Sequence, residues 1–139
     1  MISRVLVPID DSEMAKRALR YALENHPEAD VTVLHVVGEP SSMMGAAAGI
    51  ALADDIEETA REHAREVLDE AQEIAAEYDR EISTTVELGQ PARAILRRAN
   101  EFDTVVIGSH SGTLAERLLI GDTARTVFNR SPVPVTTVR

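Results

Sequence analysis

Residues 5–13 read Val-Leu-Val-Pro-Ile-Asp-Asp-Ser-Glu, and this segment is the clearest indicator of the fold class. The run 5–9 is apolar on both faces, which is typical of a strand buried within a parallel sheet. Asp11 and Ser12 then supply a helix start signal, and apolar residues follow at helical spacing. The stretch therefore predicts a buried strand that leads directly into an amphipathic helix.

The same alternation continues along the chain. Apolar β-branched runs at 31–37, 104–107 and 133–138 predict further buried strands. Residues 82–88 alternate, which predicts a strand near the sheet edge with one face formed by Ile82, Thr84, Val86 and Leu88. Helical stripes lie between the strands, with these inward residues: Ala15, Ala18, Leu19, Ala22 and Leu23; Ile56, Ala60, Ala64, Val67, Ala71, Ile74 and Tyr78; Ala92, Ile95, Leu96 and Ala99; and Ala124, Val127 and Phe128 in a last helix over about 122–129.

Strands that alternate with helices predict an α/β fold, a single doubly wound domain over 1–139 with a parallel sheet and helices on both faces. Pro91 is placed to begin the third helix. Residues 38–55 show the hydrophobic periodicity of neither a strand nor a helix, and they are rich in small residues. We therefore expect a long connection there, which is either a mobile lid or a plain loop.

Composition excludes several classes of function. The chain of 139 residues has a formal charge of −10, which would repel a phosphate backbone, so we expect no nucleic-acid partner. It has no cysteine, which excludes thiol chemistry and cysteine-ligated metals. No apolar run is long enough for a membrane span and no secretory leader is visible, so we expect a cytoplasmic location.

The basic residues are also unevenly chosen, because Lys16 is the only lysine and the others are arginines. Such an acidic, lysine-poor composition arises from a GC-rich genome or from adaptation to concentrated salt, where charge repulsion is screened. The sequence leaves both explanations open.

Two segments carry the candidate chemistry, since ligands of doubly wound sheets bind beyond the carboxyl ends of the strands. Asp10 leaves the first strand where it could accept hydrogen bonds from a ribose or base, although it could equally serve the helix cap. The segments 107–113 and 118–123 are rich in glycine and precede a helix, which is the pattern of a phosphate cradle. The alternative is a turn and a helix cap that happen to contain glycine.

Together with segments 34–37, 105–110 and 131–135, the opening stretch resembles the universal stress protein family over the whole chain. The resemblance implies a five-stranded parallel sheet in the order 3-2-1-4-5 and a homodimer through the last strand, 133–138. It also implies binding of ATP or another adenine nucleotide. Adenosine contacts of the ATP-binding branch map to these residues: Pro8, Ile9, Asp10, Val36 and Ile107.

The phosphate motif of that branch is Gly, two residues, Gly, nine residues, Gly, then Ser or Thr. Gly108 and Gly121 fill the first and third glycine positions, but Ser111 replaces the second, with Gly112 beside it. Asp122 replaces the hydroxyl residue. The backbone amides expected at the phosphates are those of Gly108, Ser109, Gly112 and Gly121.

Asp122 matters because a carboxylate repels a phosphate instead of donating to it. Mg²⁺ or Mn²⁺ bridging Asp122 to the phosphates, the hydroxyl of Thr123 one position later, or high salt would soften the repulsion. The alternative is that Asp122 is simply the N-cap of the last helix.

We expect no catalytic residues. The four histidines show no metal-ligand spacing, His35 is expected to be half-buried and structural, and Ser109-His110 lacks a nucleophile elbow. Binding of an adenine nucleotide without efficient turnover, by a regulatory dimer that acts on an unknown protein partner, is the first hypothesis. A dimeric interaction protein that has lost the nucleotide site is the second. Slow ATP hydrolysis is the third, with only Arg117 and Arg125 near the motif to support it.

Overall fold

The structure is a computed structural model that describes residues 1–38, 46–110 and 121–139, with side chains described for all of these except 46–56. Strands and helices alternate along it in this order: β1 (Arg4–Pro8), α1 (Glu13–Asn25), β2 (Asp30–Val37), α2 (Ala46–Glu77), β3 (Ser83–Leu88), α3 (Pro91–Ala99), β4 (Thr104–Gly108), α4 (Asp122–Arg130) and β5 (Val135–Val138).

The five strands form one sheet in the order β3-β2-β1-β4-β5, and the pairings are parallel. This confirms the predicted α/β class and strand order. β1 lies at the centre because its residues are apolar on both faces, and Val5, Leu6 and Val7 are fully buried. β3 and β5 are the edges, in line with their more polar sequences.

A hydrophobic core layer lies on each face of the sheet, between the strands and the helices that cover them. One cluster joins alternate strand residues such as Val5, Val7 and Val33 to α1 and α2. The other joins Leu6, Leu34 and residues of β4 to α3 and α4. Because successive side chains of a strand point to opposite faces, each of the central strands serves both layers.

The N-terminal end of β1 is held by Asp103, which precedes β4. Its Oδ2 accepts hydrogen bonds from the Ser3 amide at 2.9 Å, the Ser3 hydroxyl at 3.0 Å and the Arg4 amide at 2.9 Å. These bonds, together with the charge of Arg4, lower the pKa of Asp103. The carboxylate therefore fixes β1 against β4 at the end of the sheet opposite the candidate site.

Two predicted boundaries are wrong. The connection expected over 38–55 is shorter, because α2 already begins at Ala46; the remaining part of the expected lid, 39–45, lies outside the described residues. Residues 46–48 are alanines, which have the highest helix propensity, so small size does not indicate a loop here. β5 begins at Val135 instead of 133, since Pro134 has no amide to donate to the ladder.

Two predicted burial patterns are also wrong. Phe128 was expected to face inward but is exposed, because the short α4 buries a narrow stripe that includes Ala124 and Val127. The predicted inner face of β3 is its more exposed face, on which Val86 and Leu88 are accessible. On the opposite face, Glu87 lies 3.7 Å from Arg98 of α3. Because β3 is an edge strand, the helices cover it only in part and leave the face of Val86 and Leu88 accessible to solvent.

Within the described residues, no helix is both long enough and apolar enough to cross a membrane. The longest one, α2, is strongly charged along its described side chains. Its buried stripe includes Ala64, Val67, Ala71 and Ile74, as the spacing predicts, and also Ala75, which the spacing does not predict. The predicted Ala60 and Tyr78 are only half-buried.

Candidate functional site

A cavity of about 520 Å³ opens at the carboxyl ends of the central strands. It lies where the strand order reverses, since β2 and β4 follow β1 on opposite sides. Its wall is formed by these residues: Pro8, Ile9, Asp10, Ser12, Ala15, Leu34, Val36, Pro91, Ile95, Ile107, Gly108, His110, Gly121, Asp122, Thr123 and Ala124. The volume falls within the roughly 300–1,000 Å³ that is usual for small-molecule sites.

The wall has an apolar part and a polar part. Leu34, Val36 and Ile107 from β2 and β4 are apolar, and Ile95 of α3 adds a further apolar side chain. Asp10 contributes a carboxylate, and the first turn of α4 contributes backbone amides and Asp122. Such a division suits a ligand with a flat apolar body and a polar or anionic substituent.

Asp10 is held by the turn that connects β1 to α1. Its Oδ1 accepts a hydrogen bond of 2.9 Å from the Ser12 amide. The N-cap of α1 is Ser12, whose hydroxyl accepts from the Ala15 amide at 3.2 Å. Ser12 therefore caps the helix, and Asp10 is a half-buried, oriented carboxylate on the cavity wall.

His35 holds the end of β1 in place. It is buried, with 6 % of its surface exposed, so the expectation of a half-buried residue is wrong while its structural role is supported. Its Nδ1 donates to the Ile9 carbonyl at 3.0 Å, which fixes the tautomer at that nitrogen. Because the Ile9 amide also donates to the Leu34 carbonyl at 2.8 Å, β2 anchors both the amide and the carbonyl of the residue just before Asp10.

Gly108 lines the cavity, and close packing against α1 also favours a glycine at this position. A Cβ at this position would lie 3.0 Å from the carbonyl carbon and oxygen of Met14, both of them main-chain atoms. Glycine therefore lets the first turn of α1 rest directly on β4. The sequence motif predicts only the phosphate-binding role of this glycine and not this close contact.

Ser109 and Gly121 differ from the predicted phosphate cradle. The Ser109 amide donates to the Val138 carbonyl at 2.8 Å, and the Gly121 amide donates to the Ser109 carbonyl at 2.7 Å. Both amides are thus engaged within the fold, and Ser109 is absent from the cavity wall. The reason is that pairing between β4 and β5 extends one residue past Gly108. Two further residues of the predicted cradle, Ser111 and Gly112, lie outside the described residues.

The first turn of α4 offers the donors that remain at this end of the cavity. Gly121, not Asp122, is the N-cap, and no side chain caps the helix. The first helical hydrogen bond runs from the Arg125 amide to the Gly121 carbonyl, which leaves the preceding amides without intrahelical acceptors. Asp122, Thr123 and Ala124 line the cavity here, and the helix dipole makes this end electropositive.

Asp122 itself is exposed to solvent. Within the described residues, no group of histidines and carboxylates has the arrangement of a metal site, so a cation at Asp122 would need ligand oxygens to complete its shell. Arg125 is exposed and does not line the cavity, whereas Arg117 lies outside the described residues.

Several wall residues were not predicted: Ser12, Ala15, Leu34, Pro91, Ile95, His110 and Ala124. Most were assigned to the core or to caps, because a sequence pattern does not show which end of a buried element opens onto a cavity. His110 could have been found, since it directly follows the strand that supplies Ile107 and Gly108.

The sheet, its reversal point and the cavity define a doubly wound α/β protein with a cavity of small-ligand size beyond the carboxyl edge of the sheet. Residues 1–139 match the model of the Universal stress protein family, and the chain belongs to this family. It is 30% identical over 148 residues to universal stress protein YxiE of Bacillus subtilis, with full coverage of both chains.

Solved structures agree with this assignment. Universal stress protein UspA from Lactobacillus plantarum superposes with a TM-score of 0.83, covering 99% of this chain and 98% of that one at 22% identity, which supports the fold alone. A universal stress protein solved in complex with cAMP has a TM-score of 0.69 and 25% identity, covering 99% and 97% of the two chains.

Proposed function

We propose that this protein binds an adenine nucleotide in the cavity and functions by binding, without efficient turnover. The observation that carries the proposal is the meeting of an apolar slot, an oriented carboxylate and an uncapped helix N-terminus in one cavity. The family relative solved with cAMP supports the ligand class. Regulation of a protein partner by the bound or free state is the expected use of such binding.

In this proposal each part of the nucleotide has a place. Val36 and Ile107 enclose the base, as their positions on the two strands that flank β1 allow. Asp10 accepts from the ribose hydroxyls with Oδ2, since Oδ1 is held by Ser12. The phosphate lies at the first turn of α4, where the amides and the helix dipole attract an anion.

Asp122 makes a monophosphate the better ligand. Two unit charges roughly 4 Å apart repel by about 1 kcal/mol in water and by about 4 kcal/mol at an effective dielectric of 20. The lower value applies here, because Asp122 is exposed and solvent screens it. ATP brings more negative charge to this carboxylate than AMP does, and therefore loses more affinity.

Replacing Asp122 with serine should strengthen ATP binding by about five- to tenfold and AMP binding by less, since about 1.4 kcal/mol corresponds to a factor of ten. Titration calorimetry of both proteins with both nucleotides measures this. If Mg²⁺ or Mn²⁺ joins Asp122 to the phosphates, the metal should raise the affinity of the wild-type protein and reduce the advantage of the variant. If the wild type and the variant bind ATP with equal affinity, both in the absence and in the presence of metal, Asp122 does not face the phosphates.

Calorimetric titration of the wild-type protein with AMP and ATP, at low and high KCl, tests the proposed function itself. Saturable binding with one nucleotide per chain is expected. Absence of heat under every condition would favour the second candidate, an interaction protein of the same fold that has lost the site, to which Asp122 points. Phosphate release above background would instead support hydrolysis.

We also propose a homodimer through the last strand. β5 is an edge strand whose four residues are each only half-buried, and Phe128 is exposed on α4, which packs against β5. The carbonyls of Pro134 and Val138 accept from β4, so alternation turns the main-chain groups of Val135 and Thr137 toward the free edge. An edge of this kind can pair with a second copy.

Thr137→Pro should convert the dimer to a monomer, because it removes an outward amide without removing a bond between β4 and β5. Light scattering at two protein concentrations gives the mass, and Thr137→Ala, which keeps the amide, should remain a dimer. A dimeric proline variant would place the interface elsewhere, and a monomeric wild-type protein would contradict the proposed assembly.

A further inference from the structure

The charge of the chain is divided unequally between the two faces of the sheet. α3 and α4 cover one face, and together they carry five arginines and a single acidic residue, Asp122. On the other face, α2 alone carries ten acidic residues and two arginines. A protein with a formal charge of −10 therefore has one helical layer with a local excess of positive charge.

The outward part of this layer is an arginine surface, formed by Arg93 and Arg97 of α3 and Arg125 of α4. Arg93 and Arg97 are exposed and lie four residues apart, so they share one side of α3. Arg125 is exposed on α4, which packs against α3. Because the first turns of both helices line the same cavity, Arg93 and Arg125, both near the helix starts, lie at a similar height in the layer.

The fold pairs these arginines only in part. Arg97 lies 3.9 Å from Glu87 of β3, which is a long distance for an ion pair. Within the described residues, no ion pair includes Arg93 or Arg125. The arginine surface therefore keeps guanidinium donors that a ligand from outside the chain can use.

We propose that the arginine surface binds an acidic segment of a partner protein, one in which several aspartates or glutamates occur together. A guanidinium group suits this partner because its planar donors can bind both oxygens of a carboxylate. The proposal goes beyond nucleotide binding and does not depend on it.

The size of the surface favours a short segment. α3 and α4 each have nine residues. Each is therefore about 14 Å long, which is the span of roughly four residues of an extended chain. The backbone of a nucleic acid would extend past this surface toward the acidic remainder of the protein, where it would be repelled. A short acidic segment avoids that repulsion.

The acidic helix α2 does not cancel the charge of the arginine surface. It lies on the far side of the sheet, and a helix layer alone is about 10 Å across. The Debye length is about 8 Å at physiological ionic strength, so the charges of α2 act only weakly across this distance. For the same reason, added salt should weaken the contact between the arginines and an acidic segment.

The test measures binding of a fluorescent glutamate peptide of about eight residues by anisotropy, at low and high NaCl, with a glutamine peptide of equal length as the ligand control. Arg93→Gln/Arg125→Gln removes two charges from the arginine surface. Arg61→Gln/Arg65→Gln is the matched control, because it removes two charges from exposed positions of α2. Glutamine is a good helix former, so both variants should keep the wild-type melting temperature.

The glutamate peptide should bind the wild-type protein at low salt, more weakly at high salt, and more tightly than the glutamine peptide does. Arg93→Gln/Arg125→Gln should weaken its binding by about five- to tenfold, and the control variant by less than about twofold. In ¹H–¹⁵N spectra of the wild type, which need no variant, the peptide should shift the amides of Arg93, Arg97 and Arg125 and leave those of Arg61 and Arg65 unchanged.

Absence of peptide binding at low salt, or an equal loss of affinity in the two double variants, would overturn the proposal. Duplex DNA bound as tightly as the peptide would assign the surface to a nucleic acid instead. A wild-type mass in light scattering that falls in Arg93→Gln/Arg125→Gln would assign it to a second copy of the chain. These outcomes are independent of AMP, whose titration tests the proposed function separately.

Discussion

Asp10→Asn should lower the affinity for AMP by about ten- to a hundredfold. The asparagine carbonyl can still accept from the Ser12 amide, so the turn between β1 and α1 keeps its geometry. The second oxygen, however, becomes an NH₂ group, which cannot accept from a ribose hydroxyl. A hydrogen bond to a charged group contributes about 1.5–3 kcal/mol, and this range gives the expected loss. Calorimetry with AMP and adenosine measures it, and both ligands should be weakened alike.

Asp11→Asn is the matched control, because it removes the same charge one residue further on. The Asp11 side chain is exposed, and its Oδ2 lies 3.8 Å from His63 Nε2, outside the cavity wall. Its AMP affinity should equal that of the wild type. If both variants lose affinity equally, the effect is one of net charge; if neither does, Asp10 does not contact the ligand.

Gly108→Ala should destabilise the fold by about 1–3 kcal/mol, the usual cost of inserting an extra methyl group into a well-packed core. The new Cβ would meet the Met14 carbonyl group at 3.0 Å, and main-chain atoms cannot rotate away as a flexible side chain can. Relief requires α1 to move off β4, which also displaces Ser12 and the turn that orients Asp10. Thermal unfolding gives the stability loss, and calorimetry gives the expected loss of AMP affinity.

Gly38→Ala provides the comparison for this substitution. A Cβ at Gly38 would have nothing within 4 Å, so the added methyl group meets open space. Its melting temperature should stay the same or rise slightly, since alanine reduces the freedom of the unfolded chain. Equal melting temperatures for the two variants would mean that α1 tolerates a side chain beneath it and that the close contact is not required.

The fold was largely predictable because its signals are local. The apolar run at 5–9 and those at 31–37 and 104–107 have no polar face, and only a strand covered on both sides accommodates them. Ser12 and Pro91 mark helix starts through side-chain and backbone chemistry that acts within one turn. The order of the strands came from the family resemblance.

The errors concern features that depend on neighbours distant in sequence. Phe128 and Val127 both fit a helical stripe, and only the packing of α4 determines which of them is buried. Val86 and Leu88 alternate as a buried face would, yet β3 lies at the edge of the sheet. A periodic pattern shows that residues share a face but does not show what covers that face.

In the candidate site, the sequence predicts which strand ends line the cavity, but it does not predict which backbone amides are already hydrogen-bonded within the fold. Asp10, Val36 and Ile107 are brought together because parallel strands end at the same edge. The engagement of the Ser109 amide with Val138 depends on the register between β4 and β5, which no local motif specifies. The sequence around His110 indicates neither a nucleophile partner nor a metal ligand, whereas the structure buries this residue and, within the described residues, shows no hydrogen-bond partner for its Nδ1.

A ¹H–¹⁵N correlation titration of the wild-type protein with AMP tests directly whether the nucleotide binds in this cavity. Saturable shifts should be confined to the amides around the cavity, namely those of Asp10, Val36, Gly108, Asp122 and Thr123. Amides at the opposite end of the sheet, such as Ser3 and Arg4, should stay unchanged. A spectrum without shifts at saturating AMP, or with shifts only away from these residues, would contradict nucleotide binding in this cavity.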